Sequence, residues 1–102
     1  LLTQKRWDEA MEWLDKAADH GSQFAQYRLG KIYLTGEFVP KDVEKALAYL
    51  TASADQGNQF AQYTLGKLYL LGRDVPPDRE QAKEWLIRSV IERKRRNMQR
   101  SA

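Results

Sequence analysis

Gln23-Phe24-Ala25-Gln26-Tyr27 and Gln59-Phe60-Ala61-Gln62-Tyr63 are the same five residues, set 36 positions apart. The spacing holds well beyond them. Gly21, Gly30 and Gly36 return as Gly57, Gly66 and Gly72, and residues 21–56 laid over 57–92 agree at 19 of 36 positions. A period of about 20–50 residues marks stacked supersecondary units rather than a globule around one closed core. Such stacks present extended surfaces, so binding is expected before catalysis.

Each unit reads as two helices. Ala25, Leu29, Ile32 and Tyr33 recur at the spacing of one buried helical face over about residues 22–35. Gly36 falls where a left-handed C-terminal cap would sit. Phe38-Val39-Pro40 is a short linker whose proline blocks helix continuation, and Asp42 stands where an N-cap accepts from free amides. A second helix then runs to about Asp55, with Ala46, Leu50 and Ala54 along one stripe. The next unit repeats the scheme with Leu65, Leu68 and Tyr69, then Gly72, Val75-Pro76 and Asp78; Asp78 with Gln81 fits a capping box. Upstream, Ala10, Trp13, Leu14, Ala17 and Ala18 align with Ala46, Tyr49, Leu50, Ser53 and Ala54. Five helices are therefore expected, in an all-α solenoid of about 2.5 units: a partial unit at 3–20, full units at 21–56 and 57–92, and a basic tail at 93–102.

Gly30 and Gly66 lie in mid-helix, where glycine costs about 0.8–1 kcal/mol against alanine. Their shared repeat position points to close helix approach, with Ala46 and Ala82 as small opposing partners. Trp7, Trp13 and Trp85 read as core or inter-repeat packing.

These residues resemble the Sel1-like repeat, a relative of the tetratricopeptide repeat. The resemblance rests on Ala25, Leu29-Gly30, Tyr33, Gly36, Asp42, Ala46, Tyr49, Ser53-Ala54 and Gly57. A second copy supplies Ala61, Leu65-Gly66, Tyr69, Gly72, Asp78, Ala82 and Trp85. It then departs, since Ser89-Val90 replaces the small pair and no glycine follows, so the last helix reads as terminal or altered. The resemblance implies a right-handed α-solenoid whose first-type helices line a concave surface, acting as a non-catalytic scaffold or adaptor, often bacterial. The runs at 61–69 and 71–76 are also similar to repeats in relaxases and mobilisation proteins of bacterial mobile elements. That likeness implies an alternative, an accessory DNA-binding segment acting through the basic C-terminal end.

If the first-type helices line a groove, Gln23, Tyr27, Lys31 and Leu34 share one face, and Gln59, Tyr63, Lys67 and Leu70 repeat it. Arg28, which becomes Thr64, gives that surface its variation. A tyrosine ring buries area while its hydroxyl fixes orientation, which suits recognition of a protein or peptide; Tyr27 and Tyr63 could equally pack between repeats.

The formal charge of +3 is uneven. From Arg88 to Arg100 there are six basic residues against Glu92 alone, a local +5 that leaves −2 for the rest. Arg93, Lys94, Arg95 and Arg96 could contact phosphates or serve as a targeting run, or they could be cations favoured at a helix C-terminus.

Catalysis finds little support. His20 is the single histidine, near a helix end. Asp8, Glu9, Glu12 and Asp15 read as surface partners of Lys5 or Lys16. No cysteine is present, which removes thiolate chemistry and cysteine-ligated zinc. No cofactor and no metal are expected. No apolar run reaches the roughly 18 residues of a membrane span, and no signal-peptide pattern opens the chain, so the expected setting is cytoplasmic. The start at Leu1 rather than Met is that expected of a piece of a longer protein. Self-association through the open repeat ends is a further expectation.

Overall fold

The structure, a computed structural model, describes residues 3–101, with side chains described as far as Gln99. Residues 1–2 and, at the end of the expected tail, residue 102 lie outside the described residues, as does the Arg100 side chain. Five helices follow one another among the described residues, α1 (Gln4–Asp19), α2 (Gln23–Thr35), α3 (Val43–Asp55), α4 (Gln59–Leu71) and α5 (Arg79–Ser101). There is no strand among the described residues, and no helix there is long and apolar enough to cross a membrane.

Local chemistry sets the helix ends. Thr3, Ser22, Asp42 and Asn58 each accept a hydrogen bond from the amide three residues on, which satisfies a donor that the helix leaves free. Gly36 and Gly72 close α2 and α4 at φ +77° and +65°, a left-handed backbone that costs glycine nothing. The capping box at Asp78 forms by half. Gln81 N–H donates to Asp78 Oδ1 at 3.1 Å, but the Asp78 amide donates to the Tyr69 carbonyl. The Gln81 side chain therefore donates to Asp78 Oδ2 at 3.3 Å instead of reaching back to that amide.

Two similar clusters stand out in the core of the described residues. Ala18, Ala25 and Leu29 pack with Met11, Leu14, Tyr33 and Tyr49. Ala54, Ala61 and Leu65, each 36 residues on, pack with Leu47, Leu50 and Trp85. Burial, then the charges of Asp15, the Tyr33 phenol and Asp19, push the Tyr49 phenol above its usual pKa. Pairing is dense within the hairpins α2/α3 and α4/α5 and sparser between α1 and α2 or α3 and α4.

The mid-helix glycines mark close approach, but the small partners are not the alanine side chains. A Cβ on Gly30 would lie 2.6 Å from Leu50 Cγ and 3.3 Å from the Ala46 carbonyl oxygen. On Gly66 it would lie 2.6 Å from Leu86 Cγ and 3.3 Å from the Ala82 carbonyl. Ala46 and Ala82 bring their backbones near, and a leucine one turn further on fills the space.

Polar bonds also repeat across the corners. Gln26 Nε2 donates to the Ala18 carbonyl at 3.3 Å, and Gln62 Nε2 to the Ala54 carbonyl at 3.0 Å. Gln56 completes the first corner, donating to the Gly21 carbonyl at 2.9 Å and to Gln26 Oε1 at 2.8 Å. Its counterpart in the second is Glu92, and there Gln62 Oε1 is buried without a hydrogen-bond partner. Position 93, where the period calls for glycine, holds Arg93. The final helix accordingly runs on to Ser101.

Trp7 stacks on Phe38 with ring centroids 3.7 Å apart, joining α1 to the α2–α3 loop. Phe38 adopts φ +66°, with Val39 N–H donating to the Glu37 carbonyl at 2.7 Å, the tight and strained form of γ-turn. Trp85 packs against the second cluster. Trp13, expected to pack, is 73% exposed, and Lys16 lies 5.9 Å from the centre of its ring.

Candidate functional site

Helices α2 and α4 lie side by side with their off-core faces turned the same way. Between them runs a cleft of about 310 Å³ whose lining includes Tyr27, Lys31, Phe60, Tyr63, Lys67 and Leu71. The Tyr27 and Phe60 rings meet with centroids 6.1 Å apart, and Lys67 Nζ stands 5.5 Å from the Tyr63 ring centre. The cleft thus has an aromatic and aliphatic floor and two lysines at one repeated helical position.

Five of the residues expected in a groove (Tyr27, Lys31, Leu34, Tyr63, Lys67) come together here. Tyr27 also packs against the second core cluster, so it serves both readings of that tyrosine, whereas Tyr63 is half exposed. Arg28 lines an adjoining cleft with Trp7, Glu37 and Phe38, which shares Tyr27 and Lys31 with the central one. Gln59 lines a third, of about 590 Å³, with Phe60, Arg93, Arg96 and Asn97. Gln23 stands apart. Its carbonyl accepts from Ser53 Oγ at 2.7 Å and its Oε1 is buried without a hydrogen-bond partner, which makes it part of the α2/α3 packing.

The four basic residues of the tail divide. Arg93 and Arg96 face the cleft beside Gln59 and Phe60, while Arg95 donates to Glu92 Oε1 at 3.1 Å. Lys94 is exposed.

Sequence reasoning passed over Phe60. Its signal was present, since Phe24 and Phe60 are identical between units yet fall off the buried stripe, and both are more than half exposed.

The side chains weighed for chemistry are engaged at a helix end and in surface contacts. His20 caps α1, its Nδ1–H donating to the Lys16 carbonyl at 2.7 Å. Glu12 pairs with Lys16 at 3.8 Å, and Asp8 accepts from Gln4. No cluster of three or more His, Asp or Glu among the described residues could hold a metal ion.

The profile of the Sel1 repeat matches residues 8–22, 23–58 and 59–90. Among solved structures, a Sel1 repeat protein from Oxalobacter formigenes is 39% identical with a TM-score of 0.74, covering 82% of this chain and 34% of its own. A protective antigen of uropathogenic Escherichia coli strains, displaying an SLR fold, is 34% identical with a TM-score of 0.76, covering 80% and 18%. The chain thus spans about a third of the first protein and less than a fifth of the second. No curated protein matches it.

Proposed function

The chain belongs to the Sel1 repeat family, whose repeats generally mediate protein–protein interaction and are generally non-catalytic, and from that premise we propose that it binds a partner protein through the α2/α4 groove. The observation that carries this reading is the exposed apolar floor. Phe60 and Tyr63, 55% and 51% exposed, and Leu71, 56% exposed, line one cleft with Tyr27. Nothing in the core requires Phe60 or Leu71 to be apolar. Exposed aromatic anchors set in a cleft, with polar groups at its edge, are the usual centre of a protein interface.

Site-specific photo-crosslinking tests the groove. A photoreactive amino acid replaces Tyr63 in one sample and Ala48, exposed on α3, in another, each in an extract of the native host. The expected result is one protein crosslinked from position 63 and not from 48, with the yield lost when Phe60→Ala is added. Equal crosslinking from both positions, or a yield indifferent to Phe60→Ala, would reject it.

A further inference from the structure

The basic end and the groove are one surface. Because Arg93 replaces the glycine that would stop α5, the helix continues past the start of α4. Arg93 and Arg96 thereby come to line the cleft that also holds Phe60. Phe60 lines the central cleft as well, and Tyr27 and Lys31 carry the surface into the cleft beside Arg28. Along this continuous track lie five cations, Arg28, Lys31, Lys67, Arg93 and Arg96, against the single acid Glu37. None of the five is ion-paired among the described residues. The three pairs that form among the described residues use Lys16, Lys41 and Arg95, none of which lines the three clefts.

We propose that this track recognises an acidic, extended protein segment, in which apolar side chains seat on Tyr27, Phe60 and Tyr63 and carboxylates meet Lys31, Lys67, Arg93 and Arg96. The inference rests on the groove reading above and narrows its partner. Two features favour a peptide over nucleic acid. The cations flank an apolar floor rather than forming an unbroken basic strip, and the central cleft is bounded by Leu68 and Leu71, aliphatic groups suited to burying Leu or Phe. Charge opposition across such a surface steers encounter and fixes register. Arginine adds bidentate contact to carboxylates.

The test is a selection from a random 12-residue peptide display library against the intact chain, followed by anisotropy titrations of the enriched peptides. The expected result is enrichment of Asp and Glu around Phe, Leu or Tyr. For these peptides Arg93→Gln with Arg96→Gln should weaken affinity about tenfold, and Lys94→Gln less than about twofold. Both arginines are exposed, so an unchanged melting curve shows that the double variant remains folded. Enriched neutral or basic peptides that still require Phe60 and Tyr63 would overturn the acidic specificity and leave the groove standing. Absence of any Phe60-dependent binder would overturn both. A 20-base-pair DNA duplex that binds through Arg93 and Arg96 and displaces the selected peptides would overturn the proposal in favour of phosphate recognition.

Discussion

A Cβ placed on Gly30 would lie 2.6 and 2.8 Å from two carbons of Leu50, a side chain with no exposed surface. Leu50 cannot swing clear, because Ala54, Ala61 and Leu65 hold it in the cluster between units. Added bulk must therefore push the backbones of α2 and α3 apart, which costs more than the better helix propensity of the new residue returns. Gly30→Val is expected to destabilise by about 1–2 kcal/mol. Gly66 meets Leu86 at similar distances, but Leu86 is only partly buried and has room to turn. Gly66→Val should therefore lower the melting temperature less; equal losses, or none at Gly30, would refute the account. That a glycine was required could be read from the 36-residue period alone. Its neighbour could not, because sequence spacing places Ala46 opposite Gly30 without showing that Leu50 leans into the gap.

Helix ends were the most legible elements, since each depends on a few adjacent residues. Gly36, Gly72 and Asp42 do what their types and positions imply, and the missing glycine after Val90 foretold a changed last helix. The groove was half legible. Helical spacing collected Tyr27, Lys31, Tyr63 and Lys67, but the course of α5 beyond Glu92 brings Arg93 and Arg96 to Phe60, and that is a matter of tertiary direction. The corner at Glu92 turns the same comparison into a test. One unit earlier Gln56 supplies two hydrogen bonds, whereas a carboxylate has no proton to give to Gln62 Oε1 and stands 3.3 Å from where a Gly57 Cβ would be. Glu92→Gln is expected to restore the donor. A net hydrogen bond contributes about 0.5–1.5 kcal/mol, with more when it relieves a buried orphan, against about 0–1 kcal/mol for the lost pair with Arg95. The melting temperature should rise by a few degrees, about 1 kcal/mol in a chain of this length. A fall would mean that the Arg95 pair dominates the corner.

The molecule as a whole is a linear stack, and its stability should be distributed like one. α2 packs densely on α3 and sparsely on α1, and α4 densely on α5 and sparsely on α3, while α1 adds to its thin α2 interface only the Trp7 stack on Phe38 and packing near Tyr49 among the described residues. Opening α1 gives up a thin interface and those few ring contacts, and opening α3 gives up a dense interface and a thin one together. The two core clusters are displaced copies joined only through α2 and α3. In such arrays stability approximates a sum of unit and nearest-neighbour terms, and the ends open first. Native-state hydrogen exchange should show the slowest amides in α2, α3 and α4 around Leu29, Leu50 and Leu65. Amides of α1 and of residues 93–101 should exchange at least about tenfold faster. Gly30→Val should then lower protection chiefly in α2, α3 and the α1 that rests on them, while the α4/α5 hairpin keeps most of its own. If every amide lost protection by the same factor, the chain would be one cooperative unit and the additive description would fail. If instead the loss stopped at α3, the thin α3/α4 junction would be the place where the stack divides.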